Sequence, residues 1–139
     1  MSKVYWDTML FIYLLEGNQR YGPAVRSIYE RMRIRGDSLC TSYLSLGEVL
    51  AGGPRSPQTA QAVREGFAAM NVQLLPFDGG AVDTFASLRA AQKLATADSI
   101  HLACAAAKGM DLFLTADRQL TKQIVPGIQF ISSIENSPI

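Results

Sequence analysis

Stretches of three to five β-prone residues alternate with helical stretches along the whole chain, and this alternation limits the fold more than any other feature of the sequence. Lys3 to Trp6, Leu39 to Thr41, Val72 to Leu75, Leu112 to Thr115 and Ile128 to Ile131 read as strands. Between them the spacing of apolar residues predicts helices over Thr8 to Glu16, Pro23 to Arg35, Leu44 to Ala51, Pro57 to Met70, Gly80 to Lys93 and Thr96 to Lys108. A shorter helix is expected over Arg118 to Gln123. Gly17 is placed to close the first helix, Pro23 to sit in the first turn of the second, Gly52-Gly53-Pro54 to end the third, and Gly109 to stop the sixth. The strands lack hydrophobic/polar alternation, as befits a parallel sheet covered on both faces. The expected fold class is therefore α/β, a three-layer α/β/α sandwich with a short central parallel sheet.

With 139 residues and 15.1 kDa, the chain has room for one domain, expected to span 1–139. Hydrophobic residues at 48% against 18% charged exclude a disordered chain. Cys40 and Cys104 lie far apart in apolar surroundings without metal-ligand spacing, so two buried thiols are expected. The N-terminal run is interrupted by Asp7, and no stretch nears the ~20 apolar residues of a membrane span. A soluble, cytoplasmic protein is expected. Thirteen Lys and Arg against twelve Asp and Glu leave a net charge of +1, which argues against nucleic-acid binding by bulk charge. Any such role needs a local arrangement.

Ligands of an open parallel sheet bind beyond the carboxyl ends of its strands, where strand order reverses. Two carboxylates stand there. Asp7 directly follows the first strand, and Asp117 follows the Leu112 to Thr115 strand by two residues. Glu48 lies within an apolar helical stretch, and Asp98 in the first turn of another. Singly, each has a structural explanation: the Asp residues as helix caps, Glu48 as a solvated helix edge. Together they can converge on one site, where clustered carboxylates raise one another's pKa and remain ionised only around a hard cation. Oxygen-only ligands favour Mg²⁺ or Mn²⁺ over zinc or copper.

Four ordered segments carry a resemblance. Val4-Tyr5-Trp6-Asp7-Thr8 with Phe11-Ile12-Tyr13-Leu14, Ser45-Leu46-Gly47-Glu48-Val49-Leu50-Ala51-Gly52, Ala97-Asp98-Ser99-Ile100-His101-Leu102-Ala103 and Leu112-Phe113-Leu114-Thr115-Ala116-Asp117-Arg118 follow in order over nearly the whole chain. In these the sequence resembles the PIN-domain family, and within it the VapC-type toxins of prokaryotic toxin–antitoxin pairs. Met9, Ala116 and Ala97 depart from that family's pattern, which often has Asn or Ser, Asn or Asp, and Pro at the matching positions. Met9 and Ala116 each remove a polar group that would hold a water or ligand in place.

The resemblance implies metal-dependent endonucleolytic cleavage of RNA. Asp7, Asp98 and Asp117 would hold one or two Mg²⁺ or Mn²⁺ ions beside the phosphate, while Glu48 ligates directly or activates the attacking water. Thr115, at a strand end, is read either as an ordinary β-branched strand residue or as a hydrogen-bond partner, outside the metal sphere, of a ligand carboxylate or a metal-bound water. His101, the only histidine, is read as a partly buried structural residue and left out of the catalytic set. The family further implies a small cognate antitoxin as partner and a homodimer formed through helical surfaces early in the chain.

The segment from Arg20 to Asp37 holds five Arg against two acids, a local +3. It reads as a solvated helix face or as a phosphate-guiding or partner-docking rim, with Arg33 and Arg35 as substrate-binding candidates. Arg118, beside Asp117, is the candidate nearest the proposed chemistry. Tyr13, Tyr43 and Trp6 are either core residues or base-stacking platforms. Against the ribonuclease stand two other readings. One is a PIN-like module that binds RNA or protein with little cleavage. The other is an aspartyl phosphatase or receiver domain, disfavoured because Asp7-Thr8-Met9 lacks an Asp-x-Asp opening and no Lys stands at a late strand end.

Overall fold

Strand β1 (Lys3–Trp6) is buried along all but its first residue and takes the centre of a five-stranded sheet in the computed structural model, which describes residues 1–52, 57–91 and 93–139. Around it lie β2 (Ser38–Ser42), β3 (Gln73–Leu75), β4 (Met110–Thr115) and β5 (Ile128–Ser133), in the order β3-β2-β1-β4-β5. Every pairing is parallel: Val4 faces Leu39 on one side and Leu112 on the other, and Trp6 faces Leu114. The chain builds outward from β1 toward β3, then returns to β1's other flank with β4. Strand order therefore reverses between β1 and β4, which opens a crevice at their carboxyl ends.

The helices are α1 (Thr8–Leu15), α2 (Gly22–Arg35), α3 (Tyr43–Gly52), α4 (Pro57–Ala69), α5 (Gly79–Ala91) and α6 (Thr96–Lys108). Val4 and Trp6 enter a core with Phe11 of α1, Ile28 of α2, Val49 of α3 and Phe67 of α4. Tyr5, one residue between them, points the other way into a core with Leu88 of α5 and Leu102 of α6. The period of two along β1 thus divides the helices into two layers, and the expected α/β/α sandwich is the observed one. Cys40 and Cys104 are buried free thiols in the second core, and burial pushes the Cys104 thiol up to about 11.

Several boundaries differ from the sequence reading. β4 starts at Met110, two residues early, because the Met110 N–H is already paired to the Gly127 carbonyl. That approach needs a glycine: Gly127 has φ of +101°, and a Cβ there would stand 2.5 Å from the Ala106 carbonyl oxygen. The helix expected over Arg118 to Gln123 contracts to a 3₁₀ turn, Leu120–Lys122. Its N–H groups bond three residues back, Leu120 to Asp117 and Thr121 to Arg118, after the Asp117 carboxylate has taken the Gln119 N–H. Gly17 and Gly36 close α1 and α2 at positive φ. Of the Gly52-Gly53-Pro54 stop, Gly53 and Pro54 lie outside the described residues.

Trp6 is fully buried against Phe11 and Tyr29, which settles it as core rather than as a stacking platform. Among the described residues, no helix is long and apolar enough to cross a membrane.

Candidate active site

Asp7, Glu48, Asp98 and Asp117 all line one cleft of about 440 Å³ beyond the carboxyl ends of β1 and β4. Each arrives on a different element. Asp7 is the first residue past β1, and its N–H continues the ladder to the Leu114 carbonyl at 3.0 Å. Asp117 lies two residues past β4, Glu48 in α3 and Asp98 in the first turn of α6.

Asp7 is the most constrained of the four. Its Oδ1 accepts the Met9 N–H at 3.0 Å, which caps α1. Its Oδ2 accepts the Thr115 hydroxyl at 2.5 Å and the Ala116 N–H at 3.1 Å. Burial raises the Asp7 pKa, and these donors work against that shift. Capping and site chemistry thus coexist in one carboxylate. Thr115 also accepts the Asp117 N–H at 3.0 Å, so its hydroxyl sits between two of the acids.

Glu48 is held by Thr8, to which the sequence reading gave no role, and by His101, which it read as structural. Its Oε1 accepts the Thr8 hydroxyl at 2.6 Å and lies 2.9 Å from His101 Nε2. On the other side of the imidazole, Nδ1 is 2.7 Å from the Tyr5 hydroxyl. Burial raises the Tyr5 pKa, so its phenol is a donor. That assigns the tautomer: Tyr5 donates to Nδ1, and the Nε2–H donates to Glu48. The chain Tyr5–His101–Glu48 runs from the core out to the cleft wall. His101 is therefore both buried, as expected, and in contact with one of the four acids. Thr8 was legible in part, since it directly follows Asp7.

Asp98 and Asp117 are freer. Asp98 is half-buried and Asp117 exposed. Burial is the main cause of a raised Asp98 pKa, with the charges of Asp117 and Glu48 adding to it and His101 opposing. The α6 N-terminus beside Asp98 has no side-chain cap. Met9, Ala97 and Ala116 line the cleft with apolar atoms among these acids.

The arginines divide. Arg118 stands next to Asp117 and pairs with Glu135 at 3.5 Å. Arg33 and Arg35 end α2 just before β2, at the amino ends of the strands and so at the opposite end of the sheet from the cleft. There Arg33 pairs with Glu30 at 3.4 Å and Arg35 with the buried Asp37 at 3.0 Å. The structure does not bring these two to the acids.

The donor set suits a hard divalent cation: four carboxylates and no thiolate in one cleft, with mutual repulsion already visible at Asp98. Among the described residues, however, no three acid, His or Cys side chains converge into a single coordination sphere. The fit is one of chemistry and placement, with Asp98 and Asp117 the side chains least tied down.

The family model of the PIN domain matches residues 4–123. No curated protein matches the chain significantly. Among solved structures, a chain of VapBC2 from Rickettsia felis, bound to a DNA fragment from their promoter, is similar over 94% of this chain and 98% of its own, with a TM-score of 0.74 at 14% identity. A chain of a toxin–antitoxin complex from Klebsiella pneumoniae is similar over 90% and 94%, with a TM-score of 0.65 at 19% identity. A chain of VapBC-5 from Mycobacterium tuberculosis, a member of the VapBC family of toxin–antitoxin systems, is similar over 94% and 98%, with a TM-score of 0.60 at 21% identity. At such identities the likeness is one of fold.

Proposed function

This chain belongs to the PIN domain family, and from that premise we propose that it is an Mg²⁺- or Mn²⁺-dependent endoribonuclease, the toxin of a VapBC-type toxin–antitoxin pair. The observation that carries the reading is the convergence of Asp7, Glu48, Asp98 and Asp117, from four separate segments, on one cleft at the reversal of strand order. The fold shared with chains of toxin–antitoxin complexes supports a cognate antitoxin as partner. The proposal extends to a homodimer acting in the cytoplasm.

A bound divalent cation would supply charge neutralisation at the phosphate and acidify the attacking water. Asp7 would be the pre-set ligand, since three protein donors fix its carboxylate before anything binds. Asp98 and Asp117 would complete the set. Glu48 is suited to a proton-accepting role: among the described residues its hydrogen bonds fall on Oε1, and Oε2 is left to face a water. His101 holds Glu48 in place and does not itself need to reach the substrate.

The test is RNA cleavage with Mg²⁺ or Mn²⁺, with and without EDTA. Metal-dependent cleavage lost in Asp7→Asn and Asp98→Asn is the expected result; cleavage that persists unchanged in both would falsify the site assignment. A second reading, a PIN-like module that binds RNA or protein with little cleavage, draws on Met9 and Ala116 in the cleft wall and on the absence of a three-ligand cluster among the described residues. Calorimetric titration with Mn²⁺ separates the two, since a binding-only module has no need of metal uptake at the acids.

A further inference from the structure

Ala116 lines two cavities, the acid cleft and a polar pocket of about 300 Å³ beside it. The second is walled by Tyr13, Arg20, Tyr21, Arg118 and Glu135. The Tyr13 and Tyr21 rings stack at 4.9 Å between centroids, and the Arg20 guanidinium lies 5.1 Å from the Tyr21 ring centre. The turn that brings them together is firmly held. Asn18 Oδ1 accepts the N–H groups of both Arg20 and Tyr21, at 3.0 and 2.8 Å, and the Asn18 N–H bonds the Tyr13 carbonyl at 3.0 Å. Across the pocket, Arg118 and Glu135 form their 3.5 Å ion pair.

An anion site alone would not be built this way, because the Glu135 carboxylate would repel a phosphate. Aromatic rings, two guanidiniums and one carboxylate together match a nucleotide better. Its base offers a π-face, its phosphate a negative charge, and its edge a mixture of donors and acceptors. Guanine is the closest complement, since its Watson–Crick edge sets two adjacent N–H donors beside a carbonyl oxygen. A carboxylate can accept from both donors while a neighbouring guanidinium donates to the carbonyl.

We propose that this pocket is a base-reading subsite for single-stranded RNA, seating the nucleotide next to the one cleaved and favouring guanine. Tyr13 provides the stacking surface, Arg20 faces the phosphate, and Arg118 and Glu135 read the base edge. The subsite deepens the ribonuclease reading and rests on it for the position of the scissile bond, but its binding is measurable separately.

The experiment is fluorescence anisotropy with labelled ribohexamers, hexauridine and the same hexamer carrying one guanosine, with Ca²⁺ replacing Mg²⁺ to suppress turnover. One guanosine is expected to tighten binding by about fivefold, the lower end of what a bidentate base contact gives. Glu135→Gln should abolish that preference. Tyr13→Ala should weaken binding of both hexamers at least ~5-fold through lost stacking, with Tyr13→Phe restoring it. Equal binding of both hexamers by the unsubstituted protein and by Tyr13→Ala would overturn the proposal. Guanosine preference without any metal-dependent cleavage would remove the nuclease reading and leave the subsite. Cleavage with unaltered sequence preference in Glu135→Gln and Tyr13→Ala would do the reverse.

Discussion

The Thr115 hydroxyl donates to Oδ2 of Asp7 at 2.5 Å, and Thr115 Oγ1 in turn accepts the backbone N–H of Asp117 at 3.0 Å. One side chain at the end of β4 thereby fixes an acid at the end of β1 and orients the turn that carries another. Thr115→Val keeps the shape and removes the donor. Because a hydrogen bond to a charged, buried group is worth about 1.5–3 kcal/mol, the variant should lose stability of that order in urea unfolding. It should also bind Mn²⁺ more weakly by calorimetry, whereas Thr115→Ser should recover both properties.

The raised pKa values of Asp7 and Asp98 set the sign of a pH effect. Between the ordinary carboxylate pKa, about 3.9, and these higher folded-state values, the folded protein keeps protons that the unfolded chain has released. The stability contributed by the two groups is therefore full at low pH and declines as pH rises through that window. Asp98→Asn removes one share of the decline. In EDTA at pH 7 it should melt roughly 1–3 °C above the unsubstituted protein, a modest gain because solvent screens a half-exposed charge. The difference should vanish near pH 3. Added Mg²⁺ should raise the unsubstituted protein's Tm more than that of Asp98→Asn. A variant no more stable than its parent in EDTA would contradict the proposed repulsion.

His101 joins Tyr5 to Glu48, so its replacement reaches the cleft from within. His101→Ala takes one of two donors from Glu48 and an acceptor from Tyr5, and cleavage should drop by about 10–100-fold, the range for a lost partner behind a site acid. His101→Gln, which can still donate to the carboxylate, should keep most of the rate. Measured rates with equal losses in the two variants would assign His101 a direct chemical part.

Arg35 covers a different weakness. Its Nε lies 3.0 Å from Oδ2 of Asp37, whose side chain is fully buried and whose Oδ1 accepts the Ser2 N–H at 2.8 Å. Arg35→Ala leaves that carboxylate without its cation and should cost about 1–3 kcal/mol in denaturant unfolding, short of a fully buried pair because Arg35 itself is half-exposed. RNA cleavage by the folded fraction should be unchanged.

The order of strands and helices was legible because each strand is short, apolar and bounded by a helix pattern, and the acids were legible because they stand just past strand ends. Asp7 and Asp117 needed only that rule; Glu48 and Asp98 needed the cost of a charge in an apolar helix. Two things were hidden. His101 looked structural because its neighbours are apolar, and only the packing of α6 between Tyr5 of β1 and Glu48 of α3 reveals that these two flank it. The basic segment looked like one patch because linear charge counting ignores direction. Helix α2 is 14 residues long, about 21 Å, and runs back along the sheet. Arg20 stays near the carboxyl ends of the strands, beside Ala116, while Arg33 and Arg35 are carried to the amino ends.

Asp7 caps α1, extends the β1–β4 ladder by one residue and accepts from Thr115, all before it meets any substrate. Loss of its carboxylate would be felt in folding as well as in the proposed chemistry. Under the proposed function, an inactive copy of this chain is therefore better sought at Asp98 or Asp117. At those positions the acid can be silenced without loosening the seam around which the sheet assembles.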